Sequence, residues 1–338
     1  MSNYNQNSGY GQALLNMVAS QVPTFGRIFI VMDPDDIDEE NYQRMQEVFT
    51  PVEGVNRFYT SLATAYAATE SNNNDVILLD GNSTHILTGE LAVSKNRCHF
   101  IGMDSGGRYK GQGTKVQTAD GTAAVSVIHV SGTRNTFRNI KFIQGDDEAT
   151  SLNVLKESGE SSLYVNCQFM HGDATRLGGT TTYDILMSGD STEFYNCTIG
   201  QSTLARTVGG VGVAFDTITT ASKSTLWKDC IFNVLTSSAD YNFIKVISNA
   251  DMAFEHIFIN PIMMAAISST GSMITVTDAV ESVTGLVAGN MLFVNPATNA
   301  TNFCSTTTDN VKVVGPGMSL DGGAAAVGTT LGIGIVPE

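Results

Sequence analysis

The acidic residues that could do catalytic work are spread over the middle of the chain. Hydrolysis of a glycosidic bond needs two carboxyl groups about 5 to 9.5 Å apart. Neighbouring turns of a repetitive fold supply such pairs easily, and the candidates are Asp146, Asp147, Glu148, Asp173, Asp184, Asp190 and Asp216. Most of them stand in turn or loop sequence, where Asp is favoured because its side chain bonds to the nearby backbone. We therefore expect no catalytic residue among them.

The sequence also lacks the motifs of metal sites, nucleophilic hydrolases and nucleotide-binding loops. The five histidines, His85, His99, His129, His171 and His256, show no H-x-x-x-H or H-E-x-x-H spacing. His129 and His256 fall in the repeated strands and are predicted to be packed side chains. The sequence also lacks a G-x-S-x-G elbow and a Walker loop. No C-x-x-C pair occurs among Cys98, Cys167, Cys197, Cys230 and Cys304. Neither a zinc site nor a disulfide framework is expected, and we predict no cofactor.

Composition and charge narrow the class of protein. The 338 residues include 33 acidic and 18 basic side chains, for a formal net charge of −15. This excess repels phosphate groups, so neither nucleic acid nor an anionic membrane is an expected partner. No stretch approaches the roughly 20 apolar residues that span a bilayer, and the polar start is unlike a secretion signal. We expect a soluble protein made in a cytoplasm.

An internal repeat sets the positions of the candidate carboxylates, histidines and cysteines. The pattern has six positions. The first is aromatic, the third is Asn or Asp, the fourth is Cys or Ile, the sixth is Phe or Ile, and the second and fifth vary. Its copies begin at Phe137, Tyr164, Phe194, Trp227 and Phe254, and a partial copy begins at Lys95. The full copies follow one another at steps of 27, 30, 33 and 27 residues. A strand precedes each copy, so the predicted unit is strand, turn, strand, loop.

Such units cannot bury their apolar face alone, so they must stack with their strands in register. The pattern predicts a structural ladder at its fourth position, formed by Cys98, Ile140, Cys167, Cys197, Cys230 and Ile257. Its cysteines are expected to be small buried packing groups, with oxidation or soft-metal binding as the alternative. The third position, occupied by Asn139, Asn166, Asn196 and Asp229, predicts a second ladder at a corner of the coil. Ligand binding is the alternative for that ladder.

The two ends of the chain differ from the repeat. Residues 1–57 indicate a small α/β head or docking domain, with a buried strand at 27–32 and a helix near 37–49 that an acidic run caps. Residues 58–267 form the predicted body. Residues 268–338 are rich in Gly, Ala, Thr and Val. They are expected to be β-rich and to form the last irregular coils, a cap on the open end or a subunit contact.

The repeat region resembles the right-handed parallel β-helix proteins of the pectin-lyase-like superfamily. The segment from Phe58 to Gly102 is similar to the usual entry into that fold, with a capping helix over residues 61–68 and a first strand over 75–81. More narrowly, the order of segments over residues 25–260 resembles structural proteins of tailed bacteriophages. The segments that carry this resemblance include Phe25-Gly26-Arg27-Ile28-Phe29, Val55-Asn56-Arg57-Phe58-Tyr59 and His99-Phe100-Ile101-Gly102-Met103-Asp104.

The resemblance implies a mostly β protein with a right-handed parallel β-helix, a small N-terminal α/β domain and a C-terminal β-rich segment. It further implies a non-enzymatic virion protein, such as a head decoration or head fibre, assembled in the host cytoplasm. The expected partners are further copies of the chain, as a trimer, and other virion proteins such as the major capsid protein.

The rival function is that of a tail-spike-type depolymerase or glycan-binding protein acting on bacterial surface polysaccharide. β-Helices of the superfamily also host lyases and hydrolases. The lyase site pairs clustered acids with a basic residue on one strand face, and this sequence does not match it. After residue 138 the chain contains only two arginines, Arg176 and Arg206.

Overall fold

The computed structural model describes residues 26–321 with internal gaps. The gaps are 36–37, 49–55, 105–112, 146, 148, 174–176, 178–181, 208, 216–223, 237, 239–240, 247–253, 267–273, 277–282, 295–303, 307–310 and 315–317. The helices with described bounds are α1 (Glu39–Val48) and α2 (Leu62–Ala68). Neither these nor any other described segment forms a helix long and apolar enough to cross a membrane.

The strands, numbered in chain order, form three sheets in which every pairing is parallel. The first sheet contains β1 (Ile28–Val31), β2 (Phe58–Tyr59), β3 (Val76–Leu79), β6 (His99–Gly102), β9 (Thr136–Arg138), β12 (Leu163–Val165), β15 (Thr192–Tyr195), β18 (Thr225–Lys228), β21 (Phe254–Ile259), β24 (Val283–Ala288) and β27 (Val311–Val314). The second sheet contains β4 (Thr84–Leu87), β7 (Lys115–Thr118), β10 (Lys141–Gln144), β13 (Gln168–His171), β16 (Thr198–Arg206), β19 (Ile231–Thr236), β22 (Ile262–Ala266), β25 (Met291–Val294) and β28 (Met318–Asp321). The third sheet contains β5 (Leu91–Val93), β8 (Ser126–Val130), β11 (Asn153–Glu157), β14 (Tyr183–Met187), β17 (Gly210–Phe215), β20 (Tyr241–Val246), β23 (Ile274–Val276) and β26 (Cys304–Thr306).

The chain visits the sheets in a fixed cycle of first, second and third. From β3 onward, neighbouring strands within each sheet are three strands apart in the chain. This is a right-handed parallel β-helix, so the predicted fold class is confirmed. The predicted unit of two strands is wrong, because each coil has three strands and the six-residue pattern covers two of them with the corner between.

Stacked aromatic rings fill the interior under the first sheet. Phe100, Phe137, Tyr164, Phe194 and Trp227 are all buried. Successive ring centroids lie 4.8, 4.9, 4.6 and 3.8 Å apart. In-register parallel strands place equivalent residues about one strand spacing apart, close to 4.8 Å. The register therefore stacks the rings.

Residues in the left-handed backbone region turn the chain from the first sheet to the second. Asn139, Asn166, Asn196 and Asp229 have φ angles of 58, 55, 53 and 56°. Asn and Asp tolerate this region better than other residues with a Cβ. The turn also lets positions one and four of the pattern both face the interior, although strict alternation along a strand would place them on opposite faces.

The predicted ladder is wrong at its last copy. Trp227 pairs with Phe258 rather than with Phe254, and Lys228 pairs with Ile259. The next corner is Asn260, with a φ of 51°, so Pro261 takes the place that Cys230 holds one coil earlier. Ile257 instead pairs with Leu226 and is only half-buried.

The ladder is also wrong at its first member. Phe100 pairs with Phe137 and belongs to the aromatic column. Cys98 therefore lies at the turn that enters the first sheet, after the left-handed residue Arg97, and not after a corner between the first and second sheets. Cys98 is buried there, and its backbone N–H donates to Asn135 Oδ1 at 2.9 Å.

The N-terminal elements pack onto the first coil. Strand β1 pairs with β3, so it belongs to the same sheet as the coils. Helix α1 lies against the outer face of this sheet, with the Tyr42 ring 5.1 Å from that of Phe58. Helix α2 adjoins the interior column, with the Tyr66 ring 5.9 Å from that of Phe100. Domain boundaries at residues 57 and 267 stay predictions.

At the other end, strands β23–β28 continue the three sheets. Three roles were predicted for residues 268–338: further coils, a cap or a subunit contact. The described strands in this range form further coils. Residues 1–25 and 322–338 lie outside the described part of the chain.

Candidate functional site

The structure gives the candidate carboxylates different surroundings. Asp146, Glu148 and Asp216 lie outside the described residues. Asp147 is exposed, and Asp173 and Asp190 are half-buried. Asp184 is buried and faces a buried cation.

The Asp184 carboxylate is held by Arg206. The Arg206 guanidinium donates to Asp184 Oδ1 and to Thr182 Oγ1, each at 3.0 Å. It also lies 5.5 Å from the centroid of the Tyr241 ring. Burial raises the pKa of Asp184 to about 6, and the positive charge of Arg206 opposes that rise. Asp184 Oδ2 is buried and makes no hydrogen bond within the described residues. Because both charged groups are buried, the pair is closed to a polymeric substrate.

A buried polar column lies where the chain leaves the second sheet for the third. Gln144 Nε2 donates to the carbonyl oxygens of Ala124 and Asn153, at 3.1 and 3.2 Å. In the next coils, His171 Nε2 lies 3.1 Å from the Tyr183 carbonyl oxygen, and Gln201 Nε2 donates to the His171 carbonyl. These side chains satisfy backbone groups at the crossing. These side chains are not among the residues predicted from the sequence, although each stands two residues after the pattern's sixth position.

Glu157 is a second buried acid. Its Oε1 accepts the Gly159 backbone N–H at 2.8 Å, and its Oε2 is hydrogen-bonded to the Tyr164 hydroxyl. Burial raises its pKa to about 7, above the ordinary value of 4.5. The sequence analysis did not single out this residue.

Three cysteines follow successive corners and are buried. Cys167, Cys197 and Cys230 each have Sγ within 3.6 Å of backbone carbonyl oxygens. Burial and the neighbouring thiols raise the pKa of Cys197 well above its ordinary range. Thiolate is the nucleophilic and metal-binding form of cysteine, so Cys197 is poorly suited to either chemistry. Ile140 precedes them in the column and is also buried.

Side chains also meet in the corner ladder. Asn166 Nδ2 donates to Asn139 Oδ1 at 2.8 Å, and Asn260 Nδ2 donates to Asp229 Oδ1 at 2.9 Å. These bonds join consecutive coils.

A cluster of three groups with different properties lies at the edge of the third sheet. Glu90 directly precedes β5, His129 is in β8, and Ser158 directly follows β11, so the three come from successive coils. His129 Nδ1 lies 3.4 Å from Glu90 Oε1, and His129 Nε2 lies 2.8 Å from Ser158 Oγ. The Glu90 and His129 side chains are 27% and 26% exposed.

The environment keeps the Glu90 carboxyl ionised. Burial would raise its pKa, but the bonds to His129 and Ser126 outweigh burial and hold that pKa below its usual value. The Ser126 backbone N–H donates to Glu90 Oε2 at 3.1 Å. The cluster can therefore orient an imidazole between a carboxylate and a hydroxyl group.

Sequence reasoning predicted a packed role for His129 and did not single out Glu90 or Ser158. The three residues are about one coil apart in sequence, too far for a linear motif. The repeat period was the available signal, because residues one coil apart become neighbours.

The comparisons with known proteins bear on the fold. No protein-family model and no curated protein matches the chain. Pectin methylesterase PemA from Erwinia chrysanthemi is similar with a TM-score of 0.52 at 11% identity, over 89% of this chain and 91% of that one. A pectin methylesterase in complex with a hexasaccharide has a TM-score of 0.53 at 11% identity and the same coverage. At these identities the likeness shows the fold alone, which is the pectin-lyase-like β-helix.

A protein of Geobacillus virus E2, ORF18, is also similar. Its TM-score is 0.39 at 8% identity, over 91% of this chain and 74% of that one. A likeness at this score carries no argument about function.

Proposed function

We propose that this chain is a structural protein of a tailed-bacteriophage particle, a rigid β-helix that attaches to the head or tail through one end. The observation that carries the proposal is the continuous stacking of the coils. Within the described residues the first sheet has eleven strands, which at about 4.8 Å spacing extend about 48 Å. One aromatic column runs through the coils from Phe100 to Phe258.

The buried polar groups support a structural role. Asp184 is paired with Arg206, Glu157 is bonded to Tyr164 and Gly159, and Gln144 caps backbone carbonyls. Buried polar groups that make their bonds internally rigidify a core. A rigid rod suits a component that projects from a particle or braces its surface.

The phage assignment is supported by the sequence resemblance over residues 25–260. On this proposal the chain is a head decoration or head fibre, or is associated with the tail, and it assembles in the host cytoplasm. Its partners are further copies of itself, as a trimer, and other virion proteins such as the major capsid protein.

Action on bacterial surface polysaccharide is a second candidate. The solved pectin methylesterases share this fold, and one was solved with a bound hexasaccharide. Incubation of the protein with purified capsule polysaccharide discriminates the two candidates, since a depolymerase releases reducing ends and a purely structural protein does not.

The proposed function is tested by mass spectrometry of gradient-purified phage particles. The phage that encodes the chain is propagated, and peptides are quantified in the particle band and in the unbanded lysate. We expect peptides of this chain in the band at a constant ratio to the major capsid protein. Peptides confined to the unbanded lysate would overturn the proposal.

A further inference from the structure

We propose that Glu90, His129 and Ser158 form an acyl-transfer site that hydrolyses carboxylic esters, with Ser158 as the nucleophile. This inference goes beyond the structural role and departs from the expectation of a non-enzymatic protein. It rests on three side chains from three coils that meet in the order carboxylate, imidazole and hydroxyl.

The spacing between Ser158 and His129 fits proton transfer. A general base must approach the group it deprotonates to about 2.6 to 3.2 Å, and His129 Nε2 lies 2.8 Å from Ser158 Oγ. The Val130 carbonyl oxygen is the other acceptor near this hydroxyl, at 3.2 Å. The imidazole nitrogen is the closer of the two, and it accepts the hydroxyl proton in the tautomer that carries its hydrogen on Nδ1.

Glu90 sets the orientation of the imidazole. Its Oε1 lies 3.4 Å from His129 Nδ1, while its Oε2 is held by the Ser126 backbone N–H. A carboxylate on Nδ1 favours the tautomer that leaves Nε2 free to accept a proton, and it stabilises the imidazolium that forms. Glu90 is thus a positioning residue.

The neighbouring coils show that this arrangement is not a general feature of the turn that follows each third-sheet strand, which we call the serine corner. Ser188 occupies the equivalent corner one coil after Ser158, and its Oγ lies 3.4 Å from the Glu157 carbonyl oxygen, as Ser158 Oγ lies near Val130 O. The residue in register with His129 in the coil before Ser188 is Lys156. The serine corner therefore repeats, whereas the imidazole and the carboxylate belong to the Ser158 corner.

The reaction follows from these positions. Ser158 Oγ attacks the ester carbonyl carbon while its proton passes to His129 Nε2, giving a tetrahedral oxyanion. Collapse of this adduct breaks the bond to the alcohol oxygen, which takes the proton from His129 and leaves an acyl-serine. Water then attacks the acyl carbon, again losing a proton to His129. The carboxylic acid departs, Ser158 regains its proton, and no oxidant or reductant is consumed.

The position of the site indicates the class of substrate. His129 and Glu90 are each about a quarter exposed at the edge of the third sheet, so a substrate approaches from the outside of the β-helix. His129 is in register with Lys156, whose positive charge favours a developing oxyanion on this face. A carboxylic ester presented at the outer surface of the β-helix meets these conditions.

The test uses the full-length protein, a fluorophosphonate probe and p-nitrophenyl acetate. The probe phosphonylates activated serines, and peptide mapping identifies the labelled residue without any variant. We expect labelling at Ser158, and loss of esterase rate on the order of 100-fold or more in Ser158→Ala and His129→Ala. Glu90→Gln should lower the rate by on the order of tenfold.

Ser188→Ala is the matched control, because it removes the same corner hydroxyl one coil away. Its labelling and esterase rate should equal those of the unaltered protein. Absence of the probe from Ser158 would overturn the inference, as would an esterase rate that Ser158→Ala leaves unchanged.

Discussion

Glu157 is a carboxyl group that the fold removes from water entirely. It is fully buried, and its hydrogen bonds come from Tyr164 and from the Gly159 backbone. Burial raises its pKa from the ordinary 4.5 to about 7. The folded protein therefore holds a proton on this group over a pH range in which the unfolded chain has lost it.

This difference predicts a pH dependence of stability. Between about pH 4.5 and 7 the folded state binds the extra proton, so the free energy of unfolding falls as the pH rises and levels off above the folded pKa. Glu157→Gln cannot titrate, and its amide keeps a donor and an acceptor. The stability difference between the unaltered protein and this variant should change by on the order of 2 kcal/mol between pH 5 and pH 8.

Denaturant unfolding of both proteins at several pH values measures this effect. Asp184, whose pKa is raised to about 6, contributes with the same sign in both proteins and cancels in the difference. Parallel stability curves across the whole pH range would contradict the assignment.

At the scale of single residues, sequence reasoning recognised what repeats and missed what does not. The corner residues Asn139 and Asn166 stand at one pattern position, so their grouping was visible. Glu157 contacts Tyr164 because the chain turns between the third sheet and the first. The sequence spacing of the two residues does not predict that contact. His129 likewise meets Glu90 and Ser158 only once three coils are stacked.

Among the elements, the corner between the first and second sheets sets the direction in which the chain turns within each coil. Asn166 has a φ of 55° and donates from Nδ2 to Asn139 Oδ1. Alanine at this position loses the bond and must also adopt a backbone conformation that costs about 1 to 2 kcal/mol for residues with a Cβ. Glycine loses the bond but adopts a positive φ without that cost.

We therefore expect Asn166→Ala to be less stable than Asn166→Gly, by about 1 kcal/mol. The comparison isolates the backbone term, because both variants lack the side-chain bond. Thermal and denaturant unfolding of the two variants beside the unaltered protein measure it. Equal stability of the two, or a less stable glycine variant, would show that the left-handed corner is not what Asn166 supplies.

The same corner explains why the repeat was misaligned at its ends. Phe254 and Phe258 stand four residues apart in one strand, and either fits an aromatic position until the corner at Asn260 fixes which one pairs with Trp227. Near Phe100 the aromatic residue was aligned with the sixth position instead of the first, which placed Cys98 in a column to which it does not belong. Sequence patterns give the period of a solenoid more reliably than its register.

For the whole molecule, the period and the stacking requirement predicted a solenoid of stacked strands, and the resemblance to the pectin-lyase-like superfamily implied that this solenoid is a right-handed parallel β-helix. The third strand of each coil was not predicted, because the corner has only two residues between strands and looks like one continuous strand. The repeat steps vary because the connections on both sides of the third sheet, and strand β16 itself, differ in length from coil to coil.

Imaging of purified particles by cryo-electron microscopy tests whether this rod is a component of a phage particle. We predict density on the head or tail into which the three-sheet coil fits, with a first sheet of eleven strands extending about 48 Å. The rod should contact another virion protein at one end. A particle map at a resolution that separates strands, with every density assigned to other proteins, would contradict the claim.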